Sequence, residues 1–345
     1  MVDAIAEELR MRKEELKNEI VETVYFGGGT PSLLTASELK FLITTVQDNY
    51  KLNENLEMTL ESNPDDINEE SAMMWRNQGI NRLSIGIQSF RQQDLDWMKR
   101  AHTAAESKNC LSLVKKIGFD NITADLIYGL PNLTLSEWDE QLSILIGTGV
   151  NHISAYCLTI EKKTELDFLV KNGELIPSNE DQQSDQFLHL VKRLKESGYN
   201  QYEISNFGKT GFESKHNSNY WKGVSYVGVG PSAHSFNGKS RSWNVANNSQ
   251  YIEGIKQQQR NFENEVLSPE NQFNELLLTG LRTSYGVDIV KLESLCSLSP
   301  NFYDKVEEFK LEEQLNLEEN FIRLTEKGRL MADHIASSLF IIEHD

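Results

Sequence analysis

The residues best able to do chemistry recur at the ends of apolar runs. Gly27, Gly28, Gly29 and Thr30 follow the aromatic and β-branched run Val21–Phe26. Glu61 and Asn63 follow Leu56–Leu60, Gln88 follows Arg82–Ile87, and Asp125 sits in Ile122–Ile127. Three consecutive glycines leave backbone N–H and C=O groups unshielded, so a small polar molecule can approach the main chain closely. A carboxylate beside such a loop can bind an ammonium group, and Gln88 or Asp125 can hold ribose hydroxyls. Arg100, in the stretch Met98–His102, can form a bidentate pair with a carboxylate. The inventory suits a ligand carrying an amino acid and a nucleoside. Each residue alone also reads as a turn, a cap or a solvated loop residue, and the glycine run as a tight strand-to-helix turn. Their regular placement is what favours a ligand.

Placing them on one rim requires strands that alternate with helices. Val2, Ile5, Ala6, Leu9, Leu16 and Ile20 recur at helical spacing, so the chain opens on an amphipathic helix with Glu and Lys between its apolar positions. After the Val21–Phe26 strand, helices are expected over about Ala36–Asp48, Asn68–Gln78, Asp94–Met98, Ala104–Ile117 and Leu135–Ile146. Thr134 and Glu137 fit a capping box. Strands Leu56–Leu60, Arg82–Ile87, Ile122–Ile127 and His152–Leu158 lie between them. This alternation implies right-handed crossovers and a parallel sheet, either a barrel or a doubly wound sheet. Carboxyl ends of parallel strands are where such folds bind ligands.

Past Glu161 the rhythm changes. A helix from about Asp181 to Ser197 leads into a strand, Tyr199–Ile204. The segment Phe207–Asn248 is rich in Gly, Ser, Asn and aromatics and reads as short strands and loops. Glu263–Asn271 reads as a linker. A helical tail with a short strand at Phe321–Leu324 then resembles a winged-helix unit, and the acidic run Glu307–Glu319 favours packing over nucleic-acid reading. The expected division is 1–160, 161–262 and 263–345.

The 345 residues carry 34 Lys and Arg against 52 Asp and Glu, a formal charge of −18. This argues against nonspecific nucleic-acid binding and against docking on anionic lipid through a basic face. Cys110, Cys157 and Cys296 lie far apart and form no disulfide framework. Met1–Asn18 is too charged for a signal peptide, and no apolar run is long enough to span a bilayer. A soluble, cytoplasmic protein is expected, meeting a membrane only through a partner.

The motifs Tyr25–Ser32, Glu61–Pro64, Ser84–Phe90 and Asp125–Pro131 resemble the radical S-adenosylmethionine branch that contains oxygen-independent coproporphyrinogen III oxidase and the HemW heme chaperones. The resemblance covers essentially the whole chain and implies an α/β fold, a partial (β/α)6 barrel. It also implies that Gly28, Gly29, Thr30, Glu61, Gln88, Arg100 and Asp125 surround S-adenosylmethionine. His216-Asn217-Ser218-Asn219-Tyr220-Trp221 resembles the HemW signature, in which the histidine is the proposed heme ligand. A neutral imidazole can reach iron, and Tyr220 and Trp221 can cover a porphyrin face. The competing reading is a histidine bonding loop backbone beside core aromatics. His234 is a second candidate. His102, His152, His189, His334 and His344 have no supporting context.

The family holds its 4Fe-4S cluster with a Cys-x3-Cys-x2-Cys loop after the first strand. The three cysteines here cannot supply that triplet. The chain starts at the helix that normally follows that loop, and the first strand is missing. A truncated start is therefore expected, ahead of a cluster-free relative, and a cluster only if that segment is restored. The resemblance implies a heme-binding protein that passes heme to respiratory hemoproteins. The alternatives are a coproporphyrinogen oxidase acting by radical decarboxylation, or a degenerate relative that only binds S-adenosylmethionine or partners.

Overall fold

A computed structural model of the chain describes residues 1–16 and 19–342; His344 lies outside them. The described residues form thirteen strands in three sheets. An open seven-stranded sheet has the order β1-β2-β3-β4-β5-β7-β6. Its members are β1 (Val21–Phe26), β2 (Leu52–Ser62), β3 (Arg82–Gln88), β4 (Asn121–Tyr128), β5 (His152–Cys157), β6 (Asn200–Glu203) and β7 (Asn206–Gly208). β2 to β5 pair in parallel, and the β6–β7 hairpin adds antiparallel to β5. The single strand expected over Tyr199–Ile204 is thus the first half of a hairpin. With β1 and β6 as edges, the sheet is a partial barrel.

The chain forms two compact units. One comprises residues 25–33 and 58–214 and contains the carboxyl ends of β1 and β2 with all of β3 to β7. Trp75, Leu83, Ile85, Trp138 and Leu142 are fully buried in it. The other comprises residues 1–24, 34–57 and 215–345. It begins with α1 (Val2–Met11), which is shorter than the apolar spacing implied. Turns follow Met11 because Arg12 folds back, its guanidinium saturated by Glu8, Glu15, Gly228 and Ser235. α2 (Ala36–Asn49) starts at a Thr35–Glu38 capping box.

The helices between the strands follow the expected spacing: α3 (Glu69–Asn77), α4 (Gln92–Trp97), α5 (Ala104–Ile117) and α6 (Leu135–Thr148). The Thr134–Glu137 capping box at α6 is present. α7 (Glu165–Lys171) was not legible, and α8 (Glu180–Glu196) lies as expected. In the Gly- and Ser-rich segment the main departure is a helix, α9 (Lys215–Trp221), where loops were expected. β8 (His234–Phe236), β9 (Ser240–Asn244) and β10 (Phe262–Val266) make a three-stranded sheet around α10 (Asn248–Lys256). Part of the expected linker is therefore paired strand.

The tail holds α11 (Pro269–Leu281), β11 (Val287–Asp288), α12 (Ile289–Leu295), α13 (Pro300–Leu311), β12 (Leu315–Glu318), β13 (Phe321–Leu324), α14 (Glu326–Arg329) and α15 (Ala332–Ser338). Its sheet runs β11-β13-β12, the helices-plus-wing pattern expected from sequence. Phe273, Leu277, Phe302, Ile322 and Ile335 form its core. Among the described residues, no helix is long and apolar enough to cross a membrane.

Candidate functional site

The structure gathers the candidate residues into two sets, one in each unit. The first is the strand-end rim. The glycine loop leaves β1 with Gly28 and Gly29 at φ of 76° and 62°, backbone that a side chain would strain. Glu61, near the end of β2, latches this loop. Its Oε2 accepts from the Gly28 N–H at 3.1 Å and its Oε1 from the Tyr25 hydroxyl at 2.8 Å. A Cβ on Gly27 would lie 2.5 Å from the Tyr25 ring and 3.0 Å from Glu61 Oε1, so only glycine lets the loop close on that carboxylate.

Gln88 ends β3 at φ 62°, an uncommon conformation for a residue other than glycine. A Cβ on Gly86 would stand 2.9 Å from Gln88 Nε2, 3.5 Å from an Arg100 nitrogen and 3.7 Å from Asn63 Oδ1. Gly86 thus keeps open the space around which these three polar groups meet. Arg100 donates to Asn63 Oδ1 at 2.6 Å, and Asn63 in turn donates to Asp66. Asp66 also accepts from Ser32, just past the glycine loop, at 2.7 Å.

Asp125 lies at the centre of the sheet. Its carboxyl is pushed up to about 7, chiefly by burial and further by the charge on Glu61, while the neighbouring hydroxyls of Ser154 and Ser84 pull it back. Ser84 donates to Asp125 at 3.4 Å, and Ser154 donates to Asn206 at 2.6 Å. The Tyr25 phenol is pushed up by burial and then by Glu61 and Asp125. Of the residues expected here, the structure joins Gly28 to Glu61, gathers Gln88 with Arg100, and sets Asp125 within the field of Glu61. Gly29 follows in the loop, and the Thr30 carbonyl accepts from Leu33 N–H. Tyr25, Ser84, Gly86 and Ser154 were missed. Alternation along a strand would have found two of them, since Ser84 and Gly86 share one face of β3, ahead of the register shift at Gln88.

The second set is on α9. Glu57 accepts from the Lys215 N–H at 3.2 Å and the His216 N–H at 3.0 Å, so one carboxylate anchors the helix start. Thr23 Oγ1 lies 3.0 Å from His216 Nδ1, and Asn219 donates to Glu22. Tyr220 is 47% exposed. Its ring meets Trp221 edge-on at 5.3 Å and Tyr226 at 5.9 Å, and Tyr226 meets Phe236 at 6.4 Å. Arg282 lies 6.0 Å over Trp221. An aromatic run with a held imidazole at its helix can cover a flat macrocycle and present nitrogen to a metal. His234 is on β8, where it stacks on Trp243 at 5.8 Å.

The cysteines do not fit an iron–sulfur cluster. Cys110 is buried on α5 with its thiol pushed up to about 12 by desolvation, and burial holds Cys157 at about 11. Cys296 follows α12, with its thiol also raised. Thiolate is the ligating form, and these sites disfavour it. Among the described residues no three His, Cys, Asp or Glu are arranged to hold a metal ion.

Comparison with known proteins gives concordant results. Residues 2–144 match the radical SAM superfamily, and residues 267–331 match the HemN C-terminal domain. The chain is 32% identical to the heme chaperone HemW of Lactococcus lactis, covering 97% of this chain and 88% of the relative. It is 31% identical to HemW of Bacillus subtilis, covering 96% and 90%. Among solved structures it is similar to coproporphyrinogen III oxidase (HemN) from Escherichia coli, with a TM-score of 0.83 at 21% identity. That match covers 98% of this chain and 82% of the other, and shows the shared fold.

Proposed function

The chain belongs to the HemW family of the radical SAM superfamily, and on that premise we propose that it binds heme at α9 and passes it to a hemoprotein acceptor. The observation that carries this reading is the placement of His216. Thr23 fixes Nδ1, Glu57 fixes the backbone of the same residue, and Tyr220 and Trp221 stand one turn further on. In the tautomer whose Nδ1–H donates to Thr23, the lone pair that iron needs is on Nε2. Tyr220, Trp221, Tyr226 and Phe236 then supply apolar surface for the porphyrin.

The radical SAM family implies S-adenosylmethionine and a 4Fe-4S cluster. The rim residues suit the first. S-adenosylmethionine brings an α-amino-acid end and an adenosyl end. Glu61 beside the glycine loop suits an ammonium, Arg100 a carboxylate, and Gln88 and Asp125 hydroxyls. The raised thiols of Cys110 and Cys157 do not suit the cluster. The coproporphyrinogen oxidase reading has the shared fold and the HemN C-terminal domain match in its favour.

Heme titration tests the proposal. Wild type should bind heme with a shifted Soret band, and Tyr220→Ala or Trp221→Ala should each weaken binding about tenfold, the loss of one aromatic contact and its buried area. A titration in which wild type behaves like a buffer blank would refute it.

A further inference from the structure

The end of α1 and the sheet β8–β10 frame an open cavity of about 420 Å3, and Tyr226 and Phe236 of the aromatic run form part of its wall. Two guanidiniums, Arg12 and Arg260, also line it. A guanidinium has five N–H donors. Arg12 spends all five: on Glu15 twice, on Glu8, on the Gly228 carbonyl and on Ser235.

Arg260 is different. It lies flat over Phe262, 3.7 Å from the ring centroid, with a side chain only 11% exposed. It donates to Glu15 Oε1 at 3.1 Å and to Ser242 at a long 3.4 Å, and its buried Nε has no partner. The Glu15 oxygen it uses is already taken by Arg12 Nε at 2.9 Å. Burial and the Arg12 charge both disfavour its protonated form. Three donors thus remain unspent on a desolvated cation, beside the hydroxyls of Ser225, Ser240 and Ser242. A desolvated cation with unused donors in a fixed fork is a site for a carboxylate.

We propose that this cavity receives a propionate carboxylate of the bound porphyrin, with Arg260 as its principal ligand. The proposal rests on the heme reading above, and the shared wall of Tyr226 and Phe236 is what connects the two. A flat ring lying along Tyr220 and Tyr226 projects its acidic edge past Phe236 toward the guanidinium. Arg260 then selects porphyrins with free carboxylates.

The test compares iron(III) protoporphyrin IX with its dimethyl ester, titrated in the same detergent into wild type and Arg260→Gln. Wild type should prefer the free acid. Arg260→Gln should lose about tenfold or more in affinity for the free acid, the scale of one charge-assisted bond, and less than about twofold for the ester. Circular dichroism checks that the variant is folded. Should it not fold, Ser242→Ala, a milder change at the same cavity, should give the same asymmetry at about two- to threefold. Equal losses for both ligands, or no loss for either, would overturn the proposal and leave the heme reading standing. Failure of wild type to bind either ligand would instead remove the heme reading, and this one with it.

Discussion

At His216 the controlling contact is the 3.0 Å bond between Nδ1 and the Thr23 hydroxyl. Thr23→Val keeps the shape and removes the bond. The imidazole then loses its orientation and some basicity, so the heme complex should show a displaced Soret band with at most about a tenfold loss of affinity. A spectrum identical to wild type would mean that Thr23 does not set the ligand. At Asp125 the question is pH. Its carboxyl sits at about 7 in the folded chain against an ordinary value of 3.8. The folded state therefore holds the extra proton between those values, and stability falls as pH rises from about 4 to about 7, then levels. Asp125→Asn removes that dependence, so the variant should gain on wild type by on the order of 1–3 kcal/mol between about pH 5 and pH 8. Urea unfolding at the two pH values checks it, and parallel changes in the two proteins would contradict it.

At the scale of elements, what sequence could read was local, and what it missed was distant. Apolar spacing located α5 to the residue, and Thr134 with Glu137 marked the start of α6, because both signals lie within one turn. α9 was hidden, since its start is anchored by Glu57, about 160 residues earlier in the chain. The rim was legible because β-strand ends fall at regular spacing, whereas Tyr25 and Ser154 became site residues only through partners on other strands. Glu8 is a further residue whose role depends on distant partners. On a helical wheel it reads as part of the solvent face of α1, yet it is fully buried. It pairs with Arg12 and accepts from Tyr251 at 2.6 Å, Asn244 at 2.8 Å and Gly230 N–H at 2.9 Å. Removing it leaves the Tyr251 hydroxyl and the Gly230 N–H without their acceptor and takes one of the two carboxylates from the buried Arg12. Glu8→Ala should cost about 3–5 kcal/mol in chemical denaturation of the full chain, where an exposed glutamate would cost under about 0.5 kcal/mol. The smaller figure would show that the network does not hold α1 to β8–β10 and α10.

For the molecule as a whole, family membership and geometry bear on different questions. The relatives establish which family the chain belongs to, and the shared fold with HemN accounts for the partial barrel and the winged tail. The formal charge of −18 disfavours nonspecific binding to nucleic acid, and the raised thiols disfavour iron–sulfur ligation by this chain's own cysteines. What the structure adds is how the imidazole is held at α9, by Thr23 at Nδ1 and Glu57 at the backbone. The most direct test is the absorption spectrum of the heme complex in wild type, His216→Ala and the His216→Ala/His234→Ala pair. Aromatic surface supplies most of the affinity and the axial bond sets the spin state. His216→Ala should therefore change the Soret and visible bands while weakening binding only modestly, and adding His234→Ala should change little more. Identical spectra and affinities for all three proteins would contradict the assignment of His216 as the iron ligand.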